Sequence, residues 1–421
     1  MKKPRIITVI TVLLSLLQTA YSQDIIKQYV QEHAQPIASI HPDSTDYSDL
    51  EVIGKAIGDA RVVMLGEQDH GDAPTFQAKS RLIKYLHEQK GFDVLAWESD
   101  FFGLNYGWDK LRKENGNLDS FLTKNINSLW SYCDACVPLI YQYIPSTMKT
   151  AHPLEMSGFD NMAWQAPLWT AIDSMLKTLQ APITAQKEYA TDIYPLISNS
   201  LKYLTDSVKF GKCINYFKEI KQQLINAGSN EFWTLQIDNQ LTLINDLRLL
   251  KDHYWEAMNL RDSMMAVNLN WLTEVKYAGK KIIVWAHNYH VSKYSGHYPD
   301  TFINPGKTMG TWYTSNDAIC NRTYIIGFTS YSGTAGRLSE KHYKLDKPKP
   351  NSVENWINKD YQFAFLNFSD YNRITNQKPE TFYMSGATKG SAYHKSQLAE
   401  WSNIYDGVFY IKDMYPCKEK K

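Results

Sequence analysis

The chain has 421 residues, of which 43% are hydrophobic and 21% charged. This length supports a large buried core, and this balance excludes general disorder, a collagen helix and a coiled-coil rod. With 45 basic against 44 acidic residues the formal charge is +1, so electrostatics give no reason to expect nucleic acid or an anionic membrane as a partner.

The first 22 residues read as an export leader. Lys2, Lys3 and Arg5 make a positive start, and residues 6–17 form an apolar stretch that is short against the roughly 20 residues of a membrane span. Ala20 and Ser22 supply the small residues of a cleavage site before Gln23, and no cysteine lies there to carry a lipid. The expectation is a mature α/β domain over residues 23–421, periplasmic or secreted, with no membrane attachment after cleavage.

Beyond the leader, Val62-Val63-Met64-Leu65 is a short apolar run closed by Gly66 and followed by Glu67-Gln68-Asp69-His70-Gly71. Such a run reads as a buried strand. Phe76, Leu82, Ile83 and Leu86 then recur at near-helical spacing over residues 75–89, and Gly91-Phe92 turns the chain into Val94-Leu95-Ala96-Trp97, ending at Glu98. Strand, helix, strand in this order predicts a parallel pair. A third strand is expected over residues 154–159, ending at Asp160, and a fourth over residues 281–286, ending at His287. Residues 324–328 and 408–411 are further candidates. Between them, residues from about 165 to 278 carry helix formers and no convincing strand. Ile237, Leu241, Ile244 and Leu247 stripe one helix there, and Met264, Val267 and Trp271 stripe the next. Residues 344–350 read as a polar surface loop. The expected fold class is α/β, with a mostly parallel central sheet flanked by helices and a helical lobe inserted from the middle of the chain.

Five cysteines are present: Cys133, Cys136, Cys213, Cys320 and Cys417. Cys133-x-x-Cys136 lacks the second pair of a zinc ribbon and does not open a helix as a thioredoxin motif would. A local disulfide between the two is the leading expectation, with two free thiols the alternative.

In open parallel sheets ligands bind beyond the carboxyl ends of the strands. The four main strands deliver Glu67, Glu98, Asp160 and His287 there, with His70 and His290 close behind. A carboxylate and an imidazole at the Glu67-x-x-His70 spacing make a base and its orienter, able to take a proton from water. The competing reading is a turn whose side chains only cap local backbone. His287-Asn288-x-His290 needs a turn to bring its rings together, and one of them could equally be a core histidine. Glu98 follows an apolar strand and calls for a cation, for which Arg81 on the intervening helix is a candidate, unless Arg81 is a surface charge. Arg261 and Asn268 share a helix face, either lining the cleft or tying the lobe to the sheet, and Asp160 is divided between the same two roles. Two histidines with two glutamates also suit a transition metal, so a divalent ion at Glu67, His70, Glu98, His287 and His290 is a rival to a site with no cofactor. There is no G-x-S-x-G elbow, no G-x-G-x-x-G or P-loop, and no H-E-x-x-H. The 28 Tyr and 12 Trp suit a cleft for a sizeable amphipathic or sugar-bearing ligand, or reflect lineage composition.

Gly66-Glu67-x-x-His70-Gly71 followed by Arg81-Leu82, Gly91-Phe92 and Glu98 resembles the opening of the erythromycin esterase family. Arg261-Asp262-x-Met264-x-x-x-Asn268-x-x-Trp271 and Trp285-Ala286-His287-Asn288-x-His290 resemble its later signature, and Met309-Gly310 and Ile326-Gly327-Phe328 resemble the segments that follow. The resemblance implies a metal-independent hydrolase of a carboxylic ester or lactone, in some members a macrolide ring. It implies His70 as general base, Glu67 and Glu98 orienting it or the water, His287 and His290 binding or polarising the carbonyl oxygen, and Arg81 at the place of a family arginine; Asp160, Asn288, Arg261 and Asn268 are the further candidates for substrate binding or support. The implied partner is a small ester or lactone. A non-catalytic binding protein on the same scaffold is the remaining alternative.

Overall fold

Alternation of side chains along an extended strand sends successive residues to opposite faces. Where both faces are apolar, the strand must be covered on both sides. This is the case for Val62–Leu65, Lys281–Trp285 and most of Phe92–Asp100, and it sets the architecture. A computed structural model describes residues 25–114, 116–162, 166–293, 307–376, 380–386 and 394–420, and the expected leader lies outside them. The strands are β1 (Gln35–Pro36), β2 (Val62–Leu65), β3 (Phe92–Asp100), β4 (Glu155–Asp160), β5 (Lys281–Trp285), β6 (Thr323–Ala335), β7 (Tyr343–Lys344), β8 (Phe363–Asn367), β9 (Phe382–Ser385), β10 (Ser396–Ala399) and β11 (Gly407–Met414). The main sheet runs β1-β8-β11-β6-β2-β5-β3-β4, with β7 on β6, while β9 and β10 pair separately.

From β11 to β4 the pairs are all parallel. β1, β8 and β7 add antiparallel edges. The expected α/β class with a mostly parallel central sheet is what the chain adopts. Val62, Met64, Val94, Ala96, Ile282 and Val284 face one core, shared with the helices of the chain's middle. Val63, Leu65, Leu95, Trp97, Ile283 and Trp285 face the other, shared with α1 (Ala73–Lys90) through Phe76, Leu82, Ile83 and Leu86.

The middle of the chain is helical. It includes α2 (Ser207–Asn226), α3 (Glu231–Leu249) and α4 (Tyr254–Trp271). Ile237 and Ile244 of α3 and Met264 and Trp271 of α4 are buried, as their spacing predicts. Val267 is 51% exposed and does not belong to the stripe expected of it. It lies three residues from Met264 but on the flank of the helix that turns to solvent.

The expected Cys133–Cys136 disulfide does not form. Cys133 bonds Cys417 across 284 residues of sequence. The carboxyl-terminal tail runs antiparallel beside residues 132–134, with Asp134 donating to Lys418 and Lys420 donating to Tyr132 through their backbone N–H groups. That places Cys417 against Cys133 and leaves Cys136 a buried thiol, its pKa pushed well up by burial. No helix among the described residues is long and apolar enough to cross a membrane.

Candidate active site

The strands β2, β5, β3 and β4 lie side by side, so their carboxyl ends form one rim. Gly66 opens the turn after β2 because the chain passes against Asn288, where a Cβ would meet Oδ1 at 2.0 Å. The turn delivers Glu67, which is fully buried. Its Oε1 accepts from Trp130 Nε1 at 3.0 Å and lies 2.7 Å from His70 Nδ1, while Oε2 accepts from Lys79 Nζ at 2.7 Å. A carboxylate beside Nδ1 fixes the proton there and leaves Nε2 as the ring nitrogen able to take one. His70 lines a cavity of about 260 Å³.

Lys79 is the cation of this pair, and composition and spacing did not single it out. It is fully buried and sits 4.0 Å over the Trp285 ring. Burial lowers its pKa to about 8, against the opposing pull of Glu67. Arg81, the candidate cation for Glu98, is elsewhere. Two residues along a helix turn through roughly 200°, so Arg81 faces away from Lys79. It forks onto Asp49 at 2.6 and 2.8 Å and holds the backbone carbonyls of Ser39 and Asp46.

Glu98 finds its cation in Arg261 instead. β3 does not stop at Trp97 but continues to Asp100 through a register shift against β4. Gly158 of β4 lies under this bulge, where a Cβ would meet the carbonyl oxygens of Asp100 and Ser99 at 2.5 and 2.7 Å. The Arg261 guanidinium donates to Glu98 Oε1 at 3.0 Å and forks onto Asp160 at 3.1 and 2.5 Å. Glu98 Oε2 accepts from the His287 backbone N–H at 3.0 Å. Burial alone would raise the Glu98 carboxyl, but His290, Arg261 and His70 outweigh it and hold the group well below the usual carboxylate range. Asp160 and Glu98 in turn keep the buried Arg261 charged.

The two later histidines differ in use. His290 Nδ1 meets Asp262 Oδ1 at 2.5 Å, and its Nε2 lies 3.3 Å from both Glu98 and Arg261. His287 accepts from Tyr289 N–H at Nδ1 and approaches the Gln68 carbonyl at 2.7 Å with Nε2. Both its nitrogens are therefore engaged within the protein. Its ring still lines the cavity, 5.2 Å from that of His70. Asn288 donates to the carbonyls of Phe328 and Gly386 at 2.7 and 2.6 Å and accepts from Phe328 N–H, so it stitches strand ends together. Asn268 exchanges hydrogen bonds with Asn239 and donates to the Phe159 carbonyl at 2.9 Å, tying the lobe to the sheet.

The five residues weighed as metal ligands do not fit one here. The Glu67 oxygens are taken by three donors and both His287 nitrogens are engaged. Among the described residues, three candidate ligand atoms gather only at Cys133, Asp134 and Cys417, two of which are the disulfide.

A parallel sheet whose strand ends bring a carboxylate-held histidine and a clamped arginine to one cavity is the build of a hydrolytic enzyme. The chain matches the family model described as Erythromycin esterase over residues 87–414, and it belongs to the erythromycin esterase family, a family of hydrolases. The matched span holds Glu98, Asp160, Arg261, His287 and His290, while Glu67 and His70 lie ahead of it. The chain is similar to "Putative hydrolase YbfO" of Bacillus subtilis (strain 168), 27% identical and covering 92% of this chain and 91% of that protein. It is also similar to "Erythromycin esterase type II" of Escherichia coli, 23% identical over 92% of this chain and 97% of that one. A crystal structure of a Bacillus cereus protein shares the fold, with a TM-score of 0.75 at 20% identity, covering 95% of this chain and 99% of that one.

Proposed function

We propose that this chain hydrolyses a carboxylic ester or lactone with a water activated by His70. The observation that carries this reading is the buried Glu67 carboxylate held 2.7 Å from Nδ1 of a histidine that lines a cavity. Nε2 takes a proton from water as its oxygen attacks the acyl carbon, and Glu67 balances the imidazolium that results. Lys79 and Trp130 keep Glu67 from turning. Arg261, fixed by Glu98 and Asp160 and with His290 beside it, lines the same cavity, and its guanidinium is assigned to the developing oxyanion. No metal enters these steps.

Cavities for drug-sized ligands run to roughly 300–1,000 Å³. At about 260 Å³, this one favours a compact acyl or alcohol group over enclosure of a whole macrolide. The disulfide supports an oxidising compartment and so, with the leader, a periplasmic or secreted enzyme.

The test is mass spectrometry of erythromycin and a panel of esters and lactones incubated with the mature protein, beside His70→Ala, each with and without a chelator. Wild type is expected to add one water to at least one small ester, with or without chelator. His70→Ala is expected to lose about 10²–10⁴-fold in rate. Activity that disappears on chelation would replace this mechanism with a metal-dependent one. A folded protein that turns over nothing, while binding a panel member, would favour the binding scaffold.

A further inference from the structure

Two carboxylates line this cavity, Glu98 and Asp246, and two more, Glu67 and Asp160, bond to its lining residues His70 and Arg261. Glu67 has Lys79, and Glu98 and Asp160 share Arg261. Asp246 comes from α3 and lines the same cavity as His70 and Arg261. Its neighbours in the cavity wall are Leu243, Leu247, Leu250 and Met258. It is 5% exposed, and among the described residues no lysine, arginine or histidine nitrogen lies within ion-pair distance of it. The Asn161 side-chain amide donates to Oδ2 at 3.2 Å and fixes the carboxyl. Asn161 follows Asp160, so the strand that clamps Arg261 also positions Asp246.

We propose that Asp246 is the general acid of this site, giving its carboxyl proton to the alcohol oxygen as the acyl–oxygen bond breaks. This rests on the hydrolytic reading above and narrows it to esters or lactones of aliphatic alcohols, whose alkoxides are poor leaving groups. In the first step water adds to the acyl carbon and His70 Nε2 takes its proton. In the second the bond to the alcohol oxygen breaks, its electron pair stays on that oxygen, and the Asp246 proton joins it. The products are the acid and the alcohol. The His70 imidazolium releases its proton to water and Asp246 takes one back, which restores both groups.

The surroundings keep a proton available for this step. Burial pushes the Asp246 carboxyl up to about 7; the Asn161 bond, Arg261 and the Leu247 N–H pull it down, and Asp160 pushes it up. Near neutral pH a large share of molecules therefore carry the acid form of Asp246.

The experiment compares a simple alkyl ester with the nitrophenyl ester of the same acid. Nitrophenoxide leaves without a proton, so it bypasses a general acid. Asp246→Asn keeps the shape and is expected to lower kcat on the alkyl ester about 100-fold, with at least tenfold less effect on the nitrophenyl ester. Asp246→Glu, which restores an acid, should recover part of the alkyl-ester rate. In wild type the alkyl-ester rate falls as pH rises through about 7, since the acid form is lost, and this limb is absent in Asp246→Asn. His70, Glu98, His287, His290 and Arg337 share the cavity, and Asp160 and Arg261 bear on Asp246 directly, so the nitrophenyl ester serves as the control for any pH effect that does not come from Asp246. Equal losses on the two esters, or no loss on the alkyl ester, would overturn the proposal. Wild type inactive on both esters would instead count against the hydrolytic reading itself.

Discussion

At the scale of residues, the difference between Lys79 and Arg81 decides how Glu67 is held. Lys79 is the cation of Glu67, and both side chains are fully buried. Removing one partner of a buried pair costs about 3–5 kcal/mol because the other charge is left uncompensated. Lys79→Met should therefore lower unfolding free energy by an amount in that range. Glu67→Gln in the same chain should restore part of it, as denaturant titration of the two variants would show. Glu67, His70, Glu98 and Asp160 were legible in the sequence because strand ends in a parallel sheet converge. Lys79 was not, since two cations within one turn of helix look alike until the helix's rotation is known. Trp130 and Asp246 lie in segments with no strand to announce them, and their proximity to His70 exists only in three dimensions. The one signal available for Asp246 was an acid between the apolar residues Leu243 and Leu247 of a helix stripe.

Among elements, β3 and α4 have the largest effect on the site. The register shift in β3 lets the strand continue past Glu98 while its carboxylate meets α4. α4 answers with a single arginine that engages both Glu98 and Asp160. A lysine offers one point charge where the guanidinium offers a planar fork. Arg261→Lys should lower kcat/KM at least tenfold, equivalent to about 1.4 kcal/mol. Amide exchange over Tyr254–Trp271 should quicken as the lobe loosens, and mass-detected hydrogen exchange reads this directly. The central strands were legible from their unbroken apolar runs. β1, β7, β9 and β10 were not, having two to four residues and no room for a period to show. β8 was hidden differently: Phe363–Asn367 gains its place by antiparallel pairing with β11, a long-range contact that local pattern does not report.

For the molecule as a whole, the Cys133–Cys417 bond joins the segment that carries Trp130 to the tail that follows β11. A crosslink over so long a loop limits the unfolded chain strongly. Cys417→Ser should cost about 2–5 kcal/mol in denaturant unfolding. Reduction of the wild type should lower it to the same level. Sequence alone favoured the neighbour three residues away, because nearness along the chain was the only distance it offered.

Synthesis from the amino end gives that bond a temporal meaning. Cys133 emerges 284 residues before its partner, and throughout that interval Cys136 is the thiol nearest to it along the chain. A bond made early between these neighbours must be exchanged later. The native crosslink can close only once β11 has been made and its tail has docked, so an oxidised, correctly paired molecule carries a record that its last strand arrived.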